Sequence, residues 1–313
     1  MSAANLLSLG QTALEQGLIS SLTVLALFLS YSMLNVCDLS TDGCFTLGAT
    51  VGAIVALAGH PWLSLPAAMA AGMLSGLVTA VLQTKMGVDS LLAGIIVNTG
   101  LYSVNIAVMG NASFMNLNQT ETVFTVLKGL LSGSVLAGQY KTLAALLTVG
   151  LTVGFLCWFL HTRMGLAIRA TGDNPDMVRS SSIDPRFTTT VGLVISNSFT
   201  ALSGCLLAQS QKSVNIDIGS GMVTIALASL LIGNVFFNRT RPLGLRALGA
   251  VIGAILFRLV YALALLLRMP AYMLKLVSSV IVVIAISGPY LRSRLPLWKR
   301  QLNARRKGGA GEC

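Results

Sequence analysis

The sequence predicts an all-α integral membrane protein with about nine transmembrane helices, within a range of about eight to ten. Hydrophobic residues make up 54% of the 313 residues, whereas charged residues make up only 10%. A typical soluble domain carries about 25% charged residues, so this composition predicts a chain that folds in lipid. The cations are unevenly placed, because Met1–Thr84 contains no Lys or Arg and Arg292–Lys307 contains seven. We therefore predict one transmembrane domain, residues 1–291, and a basic cytoplasmic tail, residues 292–313.

Apolar segments separated by polar or charged stretches predict the individual membrane crossings. Their approximate bounds are Leu18–Leu34, Cys44–Ala58, Trp62–Leu82, Leu91–Met109, Tyr140–Leu160, Phe187–Ala208, Met222–Phe237, Ala247–Leu267 and Tyr272–Leu291. The second is short for a bilayer that needs about 20 helical residues. It follows a polar interruption, Asn35–Gly43, so we predict a broken or short helix near Asp38–Ala58. The leucines within Leu6–Leu18 predict a short interfacial helix ahead of the first crossing.

The distribution of cations predicts the orientation in a bacterial plasma (inner) membrane. If the basic tail is cytoplasmic, parity places the other basic loops inside and the weakly charged connections outside. The inside set is Lys85, Arg163–Arg186 and Arg239–Arg246, and the outside set is Gly110–Gln139 and Gln209–Gly221. Nine crossings then place the N-terminus outside, which agrees with its lack of cations.

Motifs for enzyme chemistry are missing from the sequence. It contains no G-x-x-x-x-G-K-[ST] loop, no H-E-x-x-H and no G-x-S-x-G, and its two histidines, His60 and His161, lie far apart. The five cysteines form no C-x-x-C pair. We therefore predict a chain that is not an enzyme and that has no cofactor, metal site or disulfide. Basic patches interleaved with aromatic residues are also absent, which argues against nucleic acid as a partner.

The longest polar stretch between two apolar segments, His161–Arg186, contains a compact helix signal. Asn174 is a favourable N-cap, Pro175 suits the first helical position, and Asp176 places a negative charge in the first turn. Pro185 prevents much continuation. The pattern predicts a two-turn helix, roughly Pro175–Ser182, at the cytoplasmic surface.

This helix offers Met177, Val178 and Ile183 as apolar contacts, with Arg179 available for an ion pair. Two interpretations are open from the residues alone. The stretch is either a docking helix that a soluble partner grips or an ordinary solvated loop.

Polar residues at membrane depth are the candidates for a translocation path. Asp38, Ser40 and Asp42 belong to the run Asp38–Gly43, which interrupts an apolar segment with two carboxylates, two hydroxyls and a glycine. Non-helical backbone at this depth is tolerated where protein or a water-filled path covers it. The alternative interpretation of Asp38–Gly43 is an ordinary turn at the cytoplasmic face, outside any path. The asparagines of the crossings line the same path or form hydrogen bonds between helices; they are Asn98, Asn105, Asn197 and Asn234.

Arg258 lies near the centre of the eighth apolar segment. A charge at that depth costs at least about 2.5–3.5 kcal/mol. It must therefore face a partner, a wet cavity or a bound anion. Two roles are open, one in transport and one in a structural ion pair with Asp38 or Asp42.

Small residues spaced by four predict close helix packing. The pairs are Gly48 and Gly52, Gly72 and Gly76, Gly150 and Gly154, and Gly249 and Gly253. In a chain with 31 glycines, some such pairs arise by chance, so about half are expected to be helix contacts.

Three sequence blocks resemble the permease subunit of bacterial ABC importers of the branched-chain amino acid and ribose permease group. The first is Asp38–Gly43 followed by Phe45–Ala49, the second is Gly165–Ile183, and the third is Ile225–Gly233. Their order and spacing extend the resemblance over nearly the whole chain. The chain departs from the second block where Val178 and Ser182 replace residues that are commonly Ala and Gly.

The resemblance implies a function and a set of partners. A second permease chain, identical or different, would form the path at the interface, and an extracytoplasmic binding protein would deliver a small solute. Two cytoplasmic ATPase subunits would hydrolyse ATP and grip the coupling helix, which maps onto about Asn174–Ile183. The solute would be an amino acid, with aromatic ones included, or a related small molecule. The alternative function is a secondary transporter driven by an ion gradient, for which Asp38 and Asp42 would bind the coupling ion.

The predicted orientation is tested by reporter fusions at Leu6 and Lys307. We expect the first reporter outside and the second in the cytoplasm, because cations favour the cytoplasmic side. Two reporters on the same side would show that a crossing has been miscounted, with the short second segment as the first suspect.

Overall fold

The computed structural model describes residues 3–130, 139–236 and 242–266, together with positions 273, 276, 279–283 and 287. These residues form helices joined by short connections and one pair of strands. The helices are α1 (Ala3–Leu27), α2 (Thr41–Leu57), α3 (Pro61–Thr84), α4 (Ser90–Val108), α5 (Val123–Leu130), α6 (Tyr140–His161), α7 (Arg163–Asp173), α8 (Pro175–Ser180), α9 (Pro185–Gln211), α10 (Met222–Phe236) and α11 (Leu243–Leu266). A π-helical segment, Phe28–Met33, continues α1, and a 3₁₀ turn, Ile216–Gly219, precedes α10. The strands are β1 (Phe114–Asn116) and β2 (Ser213–Asn215).

Seven stretches of the described residues are long and apolar enough to cross a membrane. This confirms the prediction of an all-α integral membrane protein. The second apolar segment forms α2, which has 17 residues and is about 25 Å long at 1.5 Å per residue, so it is short as predicted. The predicted ninth crossing, Tyr272–Leu291, lies almost wholly outside the described residues. The tail, residues 292–313, and the arginines at 239 and 241 lie outside them as well.

The N-terminal stretch is helical and leads into the first crossing. It is the first part of α1, which runs without a break from Ala3 to Leu27. That this part lies at the membrane interface stays a prediction. Leu18, Leu22 and Leu25 of the same helix are buried, so one packed surface continues along it.

A helix that the sequence did not predict, α7, occupies the first half of the polar stretch His161–Arg186. Thr162 caps it by accepting a hydrogen bond from the backbone N–H of Gly165 at 3.3 Å. Ala167 and Ile168 are buried on its inner side. The four arginines and three aspartates of the stretch concealed this short amphipathic pattern.

The core of the bundle is formed by α9 and by the continuous stretch Leu9–Met33, which joins most of α1 to the π-helical segment. In the most apolar 18-residue window of α9, 83% of the residues are buried, and in that of Leu9–Met33, 78% are buried. The corresponding windows of α3, α4 and α6 are 33%, 28% and 33% buried, so these helices lie at the outside. The short helix α2 is packed between α9, α3 and α4.

Glycines allow the inner helices to approach closely. Three of the four predicted pairs form such contacts: Gly48 and Gly52 with Ala201 and Cys205, Gly72 and Gly76 with Asn197 and Leu193, and Gly249 and Gly253 with Gly233. A reciprocal contact comes from α9, where a Cβ on Gly204 would lie 2.0 Å from the carbonyl oxygen of Phe45. The fourth pair, Gly150 and Gly154, has no described atom within 4 Å of the added Cβ positions.

The antiparallel pair of β1 and β2 joins two of the predicted connections. Leu117 N–H donates to the carbonyl oxygen of Lys212 at 2.9 Å, and Ile216 N–H donates to that of Ser113 at 3.0 Å. The stretches Gly110–Gln139 and Gln209–Gly221 therefore meet at one end of the bundle, as the parity of the crossings requires. That this end faces outside stays a prediction.

Gly204→Ala should destabilise the chain by about 1–3 kcal/mol, because the added methyl group meets backbone that cannot move aside cheaply. Thermal unfolding of the purified protein in detergent measures the effect. Gly150→Ala is the matched control, since it adds the same methyl group to a membrane helix in open space. Equal melting temperatures for the two variants would contradict the close contact between α2 and α9.

Candidate functional site

The break between the π-helical segment and α2 lets a helix begin inside the bundle. Residues 35–40 are not helical, and Asn35 adopts a left-handed conformation with φ of 57°. Leu39 of the break packs against Gly94 of α4, where an added Cβ would lie 2.7 Å from the Leu39 nitrogen. The second half of the break is therefore packed against protein, with Asp38 and Ser40 buried, whereas Asn35 at its start is exposed.

Asp38 holds this break in place. Its side chain is 1% exposed and accepts three hydrogen bonds. They come from Ser40 N–H at 2.8 Å, from the Ser40 hydroxyl at 2.6 Å and from the amide Nδ2 of Asn197 at 2.7 Å. Thr79 of α3 donates to the Ser40 hydroxyl at 3.2 Å. Because all three partners of Asp38 are donors, the geometry is that of an ionised carboxylate.

The first turn of α2 lies between α4 and the 3₁₀ turn. A Cβ on Gly43 would lie 2.7 Å from Asn98 Oδ1, and a Cβ on Gly219 would lie 2.1 Å from the carbonyl oxygen of Asp42. The two glycines thus bring two other chain segments, α4 and the 3₁₀ turn, to the start of α2.

Asp42 joins this turn to α10. Its carboxylate accepts the backbone N–H of Gly221 at 2.9 Å and that of Val223 at 2.8 Å. It therefore caps the N-terminus of α10 while it also belongs to the first turn of α2. The positive ends of both helices favour a negative charge at this position.

A pocket of about 400 Å³ opens where these segments meet, beside the end that carries the two strands. Asp42 and two asparagines of α4, Asn98 and Asn105, contribute to its wall. Further polar groups come from α4 and the 3₁₀ turn; they include Tyr102, Ser103 and Asp217. The pocket therefore places polar side chains at the start of a short membrane helix.

The predicted path residues do not all meet in one place. Asp42 and Asn98 line the pocket, whereas Asp38, Ser40 and Asn197 form the bonded cluster beneath the break. Asn105, which the sequence also put forward, lines the pocket as well. Asn234 belongs to α10, at a distance along the helix from its capped end.

Arg258 lies on a different surface, between α11 and α1. It donates from Nε and Nη2 to the hydroxyl of Ser20 at 3.1 and 2.8 Å, and its guanidinium lies 6.0 Å from the centre of the Tyr261 ring. The alternative of an ion pair with Asp38 or Asp42 is wrong. Those carboxylates bind Ser40 and Asn197, and the N-terminus of α10, on the other side of the core.

A second arginine of α11 forms a similar contact with the π-helical segment that continues α1. Arg246 Nη2 donates to the hydroxyl of Ser32 at 3.1 Å, and its guanidinium lies 5.5 Å from the centre of the Phe28 ring. The arginines of α11 therefore fix the antiparallel register of α11 and α1.

The surface helix predicted at Pro175–Ser182 is present as α8, with a regular span of Pro175–Ser180. Asn174 caps it as predicted, since its Oδ1 accepts the backbone N–H groups of Asp176 and Met177, both at 3.1 Å. Arg179 and Asp176 are exposed and pair with each other at 3.6 Å.

The C-terminus of α8 has the hydrogen bonds of a Schellman motif. Ile183 N–H donates to the carbonyl oxygen of Val178 at 3.2 Å, and Ser182 N–H donates to that of Arg179 at 3.1 Å. Ser182 is left-handed, with φ of 60°, at the position that favours glycine. The replacement of the common Gly by Ser therefore leaves the fold of the turn intact.

The apolar side chains of α8 and of the turn that follows it divide between two environments. Met177 is 65% exposed and Ile183 is 40% exposed, so both are available to a partner. Val178 is only 3% exposed and faces the protein, so the sequence was wrong to offer it as a docking contact. Its periodicity alone did not distinguish the two sides of so short a helix.

Several residues of the pocket were missed by the sequence analysis. They are Thr46, Thr99, Tyr102, Ser103, Asp217 and Ser220. The spacing of Thr99 and Ser103, like that of Asn98 and Tyr102, places polar groups on neighbouring faces of α4. That pattern could have identified the α4 residues of the pocket from the sequence. No sequence pattern indicates that the 3₁₀ turn lies next to α4 in the fold.

Comparisons with known proteins agree with this architecture. The family described as branched-chain amino acid transport system permease component matches residues 11–286. The chain is 30% identical to the tyrosine transport system permease protein of Clostridioides difficile, over 87% of this chain and 88% of that one. It is 27% identical to a guanosine ABC transporter permease of Bacillus subtilis, over 70% of each chain. It is 25% identical to the ribose import permease of Escherichia coli, over 80% of this chain and 75% of that one. No solved structure matches the chain significantly.

Asp38→Asn should lower the free energy of unfolding by about 1–3 kcal/mol, because it places an amide donor against the Asn197 donor in a buried site. The swapped variant Asp38→Asn/Asn197→Asp should recover part of that loss, since it restores a donor opposite an acceptor but removes the donor that Asn197 supplies to the carbonyl oxygen of Leu193. Thermal unfolding in detergent measures both effects, with the exposed Asp176→Asn as the control. No recovery in the swapped variant would contradict the proposed bracing of the break.

Proposed function

Because this chain belongs to the family of branched-chain amino acid transport permease components, which includes ABC transporter permeases, we propose that it forms the membrane path of an ATP-driven importer. The proposed solute is a small polar molecule that an extracytoplasmic binding protein delivers. The similarity to a tyrosine transport permease supports an amino acid as the solute. The chain itself is a multi-pass transport subunit of the inner membrane and not an enzyme, and we assign ATP hydrolysis to two separate cytoplasmic subunits.

The observation that carries the coupling part of this proposal is the form of α8. A capped helix that exposes Met177 and Ile183 beside an ion-paired Arg179 suits a groove on a soluble partner. Burial of a Met or Ile side chain contributes about 1.5–3 kcal/mol when it is complete. Two such contacts are enough to keep α8 attached while the partner changes shape.

The outer surfaces of the bundle are the basis for proposing that a second permease chain binds to this one. Near the middle of α4, Thr99, Tyr102 and Ser103 are exposed beside several exposed aliphatic side chains of the same helix. Along the middle of α6, no large polar side chain is exposed, and the exposed ones include Leu151 and Trp158. Polar groups are disfavoured against hydrocarbon. We therefore assign the α6 face to lipid and the α4 face to a path that a second permease chain closes.

Family membership and the contacts of Asp38 favour ATP-driven import over transport driven by an ion gradient. A coupling-ion site needs carboxylate oxygens that are free to bind and release the ion. Asp38 is occupied by three donors, so this carboxylate braces the break in this conformation and is not free to bind a coupling ion.

Met177→Asp and Ile183→Asp should each lower ATP-driven uptake at least about tenfold, because docking would have to desolvate a new charge. The measurement is uptake by the complete transporter in proteoliposomes, together with the amount of ATPase subunit that copurifies. Met177→Leu is the matched control and should transport at the wild-type rate.

Val178→Asp separates docking from folding. Because Val178 is buried, a charge at this position should destabilise the fold and lower the amount of protein in the membrane. Met177→Asp and Ile183→Asp change exposed positions and should reach normal levels. Wild-type uptake by both exposed variants would show that α8 is not the coupling helix.

A further inference from the structure

We propose that the pocket at the start of α2 binds the ammonium group of the transported solute, through Asp42, Asp217 and Asn105. This inference rests on the proposed transport function and narrows its solute class. It favours solutes with a primary amine, such as amino acids, over sugars and nucleosides. Its basis is the set of hydrogen-bond acceptors that the fold collects at one cavity.

Charge is the first argument. Two carboxylates, those of Asp42 and Asp217, line the pocket of about 400 Å³. No Lys, Arg or His is among the residues that line it, all of which belong to the described part of the chain. The pocket therefore favours a cation over a neutral or anionic group.

The orientation of the Asn105 amide is the second argument. Its Nδ2 donates to the carbonyl oxygen of Gly43 at 3.2 Å. The reverse orientation would place two oxygens against each other, so this contact fixes the amide. Asn105 is 1% exposed, and its Oδ1 is a buried acceptor without a hydrogen-bond partner. A buried acceptor in this condition costs free energy until a donor reaches it.

Asp42 has acceptor capacity to spare. Its two oxygens accept the backbone N–H groups of Gly221 and Val223, and that of Met222 also acts on them, whereas an ionised carboxylate offers about four lone-pair positions. Asp217 is exposed on the 3₁₀ turn and adds a second negative charge.

The donors of an ammonium group match this set of acceptors. An R–NH₃⁺ group has three donors and no acceptor. It can therefore donate a hydrogen bond to each of Asp42, Asp217 and Asn105, and it brings no lone pair that would repel their oxygens. A hydroxyl group offers one donor and brings two lone pairs into a pocket rich in acceptors. Tyr102, which is 51% exposed, adds an aromatic ring that can contact the cation or the body of the solute.

A binding experiment on the full chain in lipid nanodiscs tests the proposal. The probes are phenylalaninol and 3-phenylpropane-1,2-diol, which differ only in the exchange of an ammonium group for a hydroxyl. Saturation-transfer NMR, with empty nanodiscs subtracted, gives the dissociation constants. We expect saturable binding of phenylalaninol that is at least about tenfold tighter than binding of the diol, as one charge-assisted contact provides.

Variants assign the effect to the pocket. Asp42→Asn and Asp217→Asn should each weaken phenylalaninol binding at least about fivefold and leave diol binding unchanged. Asp217→Asn is the safer variant, because Asp42 also caps α10. Glu121→Gln is the matched control, since it removes an exposed carboxylate from the connection that carries β1, outside the pocket lining. Its binding should equal that of the wild type.

Equal affinity for the two probes, or absence of saturable binding, would overturn the proposal. So would ammonium-specific binding that persists in both Asp variants, because the site would then lie elsewhere. The experiment uses neither ATP nor an ATPase subunit. A failure here therefore leaves ATP-driven import standing, and a failure of the α8 variants to uncouple uptake leaves the ammonium site standing.

Discussion

The rest of the structure depends on a carboxylate, that of Asp38, which is buried and contacts no cation among the residues that the structure describes. Asp38 is kept in place by Ser40 and Asn197, and these hydrogen bonds replace the water that an ionised group requires. Because they stabilise the non-helical break, α2 can begin inside the bundle. A continuous helix through the same residues would place Asp42 elsewhere and leave no polar pocket at its start.

Glycine contacts and capping then convert this break into a site. Gly43 and Gly219 bring α4 and the 3₁₀ turn against the first turn of α2, and Asp42 holds the N-terminus of α10. The pocket is therefore made from chain segments that depend on one another. A change in any of these contacts would alter the geometry of the others.

Contacts also connect the surface helix with the break. Gly172 of α7 lies against the carbonyl oxygen of Met33, at the end of the π-helical segment that precedes the break. The hydroxyls of Thr171 and Thr188 form a hydrogen bond of 2.8 Å between α7 and α9. A displacement of α8 would thus act on packed structure that reaches the segment before Asp38, so the surface helix and the break are physically connected.

The sequence by itself determined the fold class, the positions of most crossings, the short α2 and the capped α8, because lipid and helix termini impose strict local requirements on composition. It also placed Asp42 and Asn98 among the path residues. Only the tertiary structure decided that Asp38 and Asn197 brace the break, that Arg258 contacts Ser20, and that Val178 is buried. These outcomes depend on which helices are neighbours, and that in turn depends on glycine contacts between residues far apart in the chain. The same reason explains why Asp217, on a turn after β2, could not be assigned to the pocket from local pattern.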